Sequence, residues 1–184
     1  MDILAIPNLL PNPSEWITMA EEKNLWQPAK VLGPDQNLLQ TQHRNNDIWF
    51  LPNGITQEQY ADLNTAFHRG LDIYRKHVGL DKQNGILVHE GLQLNRYRPG
   101  SFYKEHIDGW TASHRQVSAV LYLNDVKEGG ETYFPRQKIS VKPRAGGIVF
   151  FPSNYCYLHE ARAPISETKY CIVTWFHILE KKNA

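Results

Sequence analysis

Residues 115–153 read RQVSAVLYLNDVKEGGETYFPRQKISVKPRAGGIVFFPS, and this stretch decides the fold. Two kinds of signal alternate along it. Val117 to Leu123, Thr132 to Phe134, Ile139 to Val141 and Ile148 to Phe151 are short apolar runs. Gly129-Gly130 and Ala145-Gly146-Gly147 separate them, where glycine tolerates the positive φ of tight turns. Runs this short, bounded by turn residues, predict strands. Outward from the stretch the pattern continues with Ile86 to Leu94 upstream, and with Tyr155 to Leu158 and Tyr170 to Ile178 downstream. Arg98-Pro99-Gly100 supplies a further turn. Several short strands with turns between them predict an antiparallel sandwich or barrel.

The N-terminal half has a different period. Thr56 and Gln59 form a capping-box pattern, and Tyr60, Leu63, Phe67, Leu71, Tyr74 and Val78 then recur at three and four residues up to Gly79. A shorter helix starts at Asn12-Pro13-Ser14-Glu15, with Trp16, Ile17 and Ala20 on one face, and ends before Trp26 or Pro28. Residues 28–54 read as mostly irregular, with only Asp47 to Leu51 strand-like. The expectation is one domain over 1–184: helical and loop support in 1–85, and a β core in 86–180.

Composition narrows the function. The chain has 184 residues, and 41% of them are apolar, enough for one core. Twenty Lys and Arg against nineteen Asp and Glu leave a net charge of +1, too little to hold a nucleic-acid backbone by bulk electrostatics. The early apolar stretch Ile3 to Leu10 is broken by Pro7, so neither a membrane span nor a targeting segment is expected. Cys156 and Cys171 are too few and too far apart for a disulfide framework, which fits a cytoplasmic protein.

His106 and Asp108 lie two apart, so on an extended segment they share a face and offer two ligands to one metal. A solvated turn pair explains the same spacing. His159 ends the run Asn154 to Leu158, and the loop Ala161 to Thr168 leads back into a strand from Lys169. In a symmetric hairpin His159 and Lys169 would lie opposite each other and share a face. Two histidines and one carboxylate match the facial triad of non-haem iron(II). Lys169, in mid-strand and facing inward, needs an anion. A chelating co-substrate with a distal carboxylate would supply one, with Tyr97 and Tyr122 on neighbouring strands as hydroxyl donors.

Four ordered blocks carry a family resemblance over roughly residues 90–177. They are Tyr97-Arg98-Pro99-Gly100 leading into Tyr103-Lys104-Glu105-His106-Ile107-Asp108; RQVSAVLYLN (115–124) with Gly129 to Pro135; VKPRAGGIVFFPS (141–153); and His159 followed ten residues later by Lys169. In these the chain resembles the iron(II)/2-oxoglutarate-dependent dioxygenases, within them the prolyl 4-hydroxylase branch. The resemblance implies a mainly β fold with supporting helices, built on a double-stranded β-helix or jelly-roll core. It implies His106, Asp108 and His159 as iron ligands, and Lys169, Tyr97 and Tyr122 as the 2-oxoglutarate site. Trp175 corresponds to an aromatic wall of the pocket, Arg115 to an arginine turned toward substrate, and Tyr103 to a residue lining the entrance. Trp110 follows the metal motif on a loop and is a candidate substrate contact.

The reaction so implied is hydroxylation of an unactivated C–H bond with O2 as co-substrate, release of succinate and CO2, and ascorbate as reductant. A prolyl residue in a peptide or protein is the leading acceptor. A free amino acid or other small molecule is the alternative, because fold and iron site do not fix substrate. A metal-holding domain without turnover is a third reading. A zinc hydrolase is disfavoured, since Glu105 and Glu160 would point away from the ligands on a strand. The alternative reading of Arg115 is a surface ion-pair member, and that of Trp49, Trp110 and Trp175 is space-filling aromatics. His43, His68, His77, His89, His114 and His177 have no metal-ligand spacing and are read as structural.

Overall fold

In a strand, successive side chains point to opposite faces, and the central strands of this protein bury both. Val117, Ala119 and Leu121 belong to one core cluster, while Val120 and Tyr122 belong to a second. That is why VSAVLYL is apolar at all but Ser118 rather than alternating. The structure is a computed structural model and describes residues 2–32, 38–39, 42–80, 87–109 and 114–178.

Fourteen strands and two α-helices follow in chain order among the described residues. They are β1 (Leu4–Ile6), α1 (Pro13–Lys23), β2 (Gln27–Pro28), β3 (Val31–Leu32), β4 (Leu38–Leu39), β5 (Asp47–Leu51), α2 (Gln57–His77), β6 (Leu87–His89), β7 (Leu92–Tyr97), β8 (Tyr103–His106), β9 (Arg115–Tyr122), β10 (Thr132–Phe134), β11 (Ile139–Val141), β12 (Ile148–Pro152), β13 (His159–Ala161) and β14 (Lys169–Ile178). An eight-stranded sheet has the order β1-β12-β9-β14-β7-β5-β2, with β6 also paired to β14. A four-stranded sheet has the order β11-β10-β13-β8. The pairings within both sheets are antiparallel.

The large sheet is the middle of three layers. Its outer face, with Leu92, Leu94, Leu121, Ile148, Phe150, Ile172 and Phe176, packs on Trp16 and Ala20 of α1 and on Leu63, Phe67, Leu71 and Tyr74 of α2. Its inner face, with Tyr97, Val120, Tyr122, Val149, Phe151 and Cys171, meets Phe134 of the small sheet. The apolar stripe of α2 is therefore matched to a flat surface, as its period requires. The predicted capping box is present: Gln59 N donates to Thr56 Oγ1 (3.1 Å), and Thr56 N donates to Gln59 Oε1 (2.9 Å). Among the described residues, no helix is long and apolar enough to cross a membrane.

Three expectations need correction. Tyr155 to Leu158 is not a strand: Tyr155–Tyr157 form a 3-10 turn, capped by Asn154 Oδ1 accepting from Cys156 N (3.0 Å). A local side-chain bond outweighs the apolar content there. His159 therefore begins a strand instead of ending one. The hairpin of His159 with Lys169 does not form, because β13 pairs with β8 and β10 while β14 pairs with β7 and β9. The loop after β13 is held by 128–131 instead, with Arg162 N on Glu131 O and Ile165 N on Glu128 O. Tyr97 and Tyr122 do lie on strands neighbouring that of Lys169, since β14 runs between β7 and β9.

The first half also contributes more sheet than its composition suggests. β1 comes from the early apolar stretch and closes one edge against β12; β5 and β2 extend the other side from β7. The run Ile86 to Leu94 is divided at Glu90-Gly91 into β6 and β7, and Ile86 lies outside the described residues.

Candidate metal and anion site

The space between the two sheets opens as a cleft. β7, β9 and β14 line it from the large sheet, and β8, β10 and β13 from the small one. Side-chain alternation sets its chemistry: Gln93, Asn95 and Tyr97 of β7 and Lys169, Cys171, Val173 and Trp175 of β14 line it. The residues between them, Leu94 and Ile172 among others, are buried on the helix side.

At one end, His106, Asp108 and His159 bring three ligand atoms within 4.8 Å of one another. β8 and β13 are paired so that His106 and His159 are direct partners, which puts the two imidazoles side by side across the small sheet. Asp108 sits just past β8, with Oδ1 3.5 Å from His106 Nε2 and Oδ2 3.5 Å from His159 Nε2. The Nδ1 atoms face backbone carbonyls, Lys104 O at 2.8 Å and Tyr157 O at 3.1 Å. A carbonyl only accepts, so Nδ1 carries a proton and Nε2 is the ring atom turned toward the carboxylate.

Burial pushes His159 down to about 4, against the opposing pull of Asp108, so the ring is neutral at pH 7. Burial alone would raise the Asp108 carboxyl, but the neighbouring His159 and His106 and the Ser118 bond hold it well below the usual carboxylate range. Ser118 Oγ donates to Asp108 Oδ2 (2.7 Å), so Ser153 Oγ, 2.8 Å away, donates to Ser118. One carboxylate and two imidazole Nε2 atoms thus converge, each able to act as a metal-ligating acceptor. Such a set of acceptors is satisfied by a divalent cation, and its N2O composition suits non-haem iron(II). Close packing fixes the carboxylate loop: a Cβ on Gly109 would lie 2.9 Å from Ser153 O.

Lys169 lines the same cleft and is 1% exposed. Burial lowers its pKa. Among the described residues no carboxylate lies within ion-pair distance of it; its Nζ stands over the rings of Tyr97 (5.2 Å) and Tyr122 (5.5 Å). The hairpin is wrong, yet the shared cavity is right: β14 delivers Lys169 beside Tyr97, its direct partner on β7. Burial raises both tyrosines, so they stay protonated as donors, and Tyr122 Oη shares a hydrogen bond with Thr132 Oγ1 (2.8 Å). A buried ammonium beside neutral hydroxyls is a place for an anion.

The remaining candidates are distributed around this centre. Tyr103 and Trp175 line the cleft. Arg115 flanks it, held by Glu90 (2.8 Å to each oxygen), lying 3.8 Å over the Trp175 ring and donating to Asp108 O (3.3 Å). Trp110 lies outside the described residues. The sequence reading missed Ser118, Ser153, Thr132, Gln93, Asn95 and Arg44. Gln93 and Asn95 carried a usable signal, polar residues alternating with Leu92 and Leu94 toward Tyr97. Arg44 carried none, because its neighbours are polar and irregular.

Comparison with known proteins meets this geometry at the right place. Residues 92–177, which span β7 to β14, match the family model of the 2OG-Fe(II) oxygenase superfamily. Over these residues the chain is similar to that superfamily. Its similarities fall on the prolyl hydroxylase-like branch. A protein of Acanthamoeba polyphaga mimivirus, provisionally named a prolyl 4-hydroxylase, is 34% identical over 107 residues, covering 47% of this chain and 44% of its own length. The chain thus spans less than half of that curated relative. The viral collagen prolyl hydroxylase of Paramecium Bursaria Chlorella virus-1, solved as a 2OG complex, superposes with a TM-score of 0.72 at 23% identity, covering 96% of each chain. A Trichoplax adhaerens prolyl hydroxylase, in complex with a hypoxia inducible factor oxygen degradation domain peptide fragment, gives 0.73 at 16% identity, covering 96% of this chain and 83% of its own. At these identities the likeness is one of fold, and the core of this chain is the jelly roll they share.

Proposed function

We propose that the protein is an iron(II)- and 2-oxoglutarate-dependent oxygenase that hydroxylates prolyl residues in a peptide or protein. The observation that carries this reading is the pairing, within one cleft, of three convergent acceptors with a buried lysine that has no carboxylate partner among the described residues. His106, Asp108 and His159 would hold the iron. They would leave its other positions toward the cleft. Lys169 would bind the distal carboxylate of 2-oxoglutarate, with Tyr97 and the Tyr122–Thr132 pair donating to it.

When bound, the iron and 2-oxoglutarate supply an oxidant that no side chain can provide, consuming O2 and releasing succinate and CO2. The protein's own contribution is placement. Ser118 and Ser153 hold the Asp108 carboxylate, the Lys104 and Tyr157 carbonyls hold the two rings, and Tyr97 and Tyr122 close the lysine end to water. Tyr103 and Trp175 would contact the acceptor, and Arg115, braced by Glu90, would stand at the mouth beside them. A peptide or protein acceptor is supported by the prolyl hydroxylase likenesses, one of them to a peptide complex.

The test is succinate release with iron(II), 2-oxoglutarate and ascorbate over free proline and proline-containing peptides, with mass spectrometry of the acceptor. The expected result is succinate formation coupled to a gain of one oxygen on a peptide proline. Signal with free proline alone would replace the peptide reading by the small-molecule one. Absence of succinate with every acceptor would leave a metal-holding domain.

A further inference from the structure

Tyr103 and His106 are three residues apart on β8, a spacing that puts side chains on opposite faces of a regular strand. Here their rings stack, with centroids 3.6 Å apart and planes within 11°. The cause is in the register. His159 pairs with His106 but Ala161 pairs with Tyr103, so two steps on β13 oppose three on β8. This is a bulge in β8, and it brings both rings to the cleft side.

Tyr103 is in turn held from the chain's first half. Residues 43–46 run along the free edge of β8: Arg44 bridges Tyr103, Lys104 N donates to His43 O (2.7 Å) and Asn45 N to Phe102 O (3.1 Å). The Arg44 guanidinium lies 4.6 Å from the Tyr103 ring centre. An imidazole stacked at 3.6 Å already covers one face, which leaves the other for the guanidinium. Arg44 is buried, fixed by Asn46 Oδ1 (2.6 Å to Nε) and Asn95 Oδ1 (2.8 Å to an Nη), and has no carboxylate partner among the described residues. The stack ends on the ligand that most needs support: the His106 side chain is 17% exposed, against 7% for His159 and 9% for Asp108.

We infer that Arg44, acting through the Tyr103 ring, is a positioning residue that fixes the plane of the His106 imidazole at the metal centre. The Lys104 carbonyl restrains the ring only about its Nδ1 bond; the stack restrains its tilt. This rests on the metal-binding part of the function proposed above. Outer partners of this kind change metal affinity by about 10- to 100-fold when lost.

The test titrates cobalt(II) into the metal-free full chain, without 2-oxoglutarate or turnover, and reads affinity together with the visible ligand-field absorption. Arg44→Gln and Tyr103→Leu should each weaken binding about ten-fold and change the absorption. Tyr103→Phe keeps the ring and should stay within about two-fold of wild type, a rescue that loss of general packing would not produce. If Tyr103→Leu does not fold on thermal melting, Arg44→Gln carries the test, because it leaves the ring in place. Wild-type affinity and absorption in Arg44→Gln overturn the inference and leave the proposed function standing, as does a loss in Tyr103→Phe equal to that in Arg44→Gln. No cobalt(II) binding by the wild type overturns the metal-binding reading and the inference with it.

Discussion

In the proposed reaction Lys169 and Asp108 would divide the site's work, and each of these buried groups can be removed separately. A charge-assisted hydrogen bond contributes about 1.5–3 kcal/mol, so Lys169→Ala should raise the 2-oxoglutarate KM roughly 10- to 150-fold while iron affinity survives. Steady-state kinetics beside metal binding checks this. Asp108→Ala removes the only anionic ligand of the three and should abolish hydroxylation, read as loss of coupled succinate and oxidised peptide. Acid should act through the same group of residues. His159 is depressed from 6.5 to about 4, so between those values the unfolded chain binds more protons than the folded one. Stability of the metal-free protein is then full above pH 6.5 and lost as pH falls through 4, by something of order 3 kcal/mol, measurable by denaturant titration at pH 7 and pH 4. The cluster of His106, Asp108 and His159 and the buried lysine were legible in the sequence because of chemically anomalous positions: a lysine facing inward from a strand, and a histidine and an aspartate two residues apart. Ser118 and Ser153 were not, because a serine inside an apolar run carries no mark of the carboxylate it will meet.

At the scale of elements, α2 was legible almost to the residue, since its cap and its three-and-four spacing agree with the surface it covers. One position in it runs against propensity. Gly70 in mid-helix costs about 1 kcal/mol relative to alanine. A Cβ there, however, would lie 2.6 Å from the Phe150 ring and 2.8 Å from Leu9 Cδ1. Phe150 is fully buried and cannot yield freely, and overpacking costs typically 1–3 kcal/mol. Gly70→Ala should therefore lower Tm or leave it unchanged despite its better helix propensity, whereas Thr56→Ala should cost about 1 kcal/mol through the lost cap. The strands were legible where two faces are buried and illegible where pairing depends on distant partners. β13 is three residues long, and its neighbours β8 and β10 lie far back in the chain. The preceding 3-10 turn has the composition of a strand, and the bulge in β8 leaves no local trace at all.

For the whole molecule, the division at residue 85 separates what the sheet joins. β1 and β5 from the first half are hydrogen-bonded to β12 and β7, and α2 covers Phe150 and Phe176. Residues 86–184 alone should fail to fold as a monomer, read as the absence of a cooperative melt. This interdependence was hidden from the sequence, in which residues 3–10 and 28–54 show little beyond short apolar pieces between prolines and glycines. Long-range pairing gives those pieces their place. The centre assembled between the sheets is tested most directly by anaerobic equilibrium dialysis of iron(II) and 2-oxoglutarate against the full chain. The account predicts one iron per wild-type chain, 2-oxoglutarate retained with it, iron lost in Asp108→Ala, and iron kept without 2-oxoglutarate in Lys169→Ala. Equal retention of both by the wild type and the two variants would contradict it.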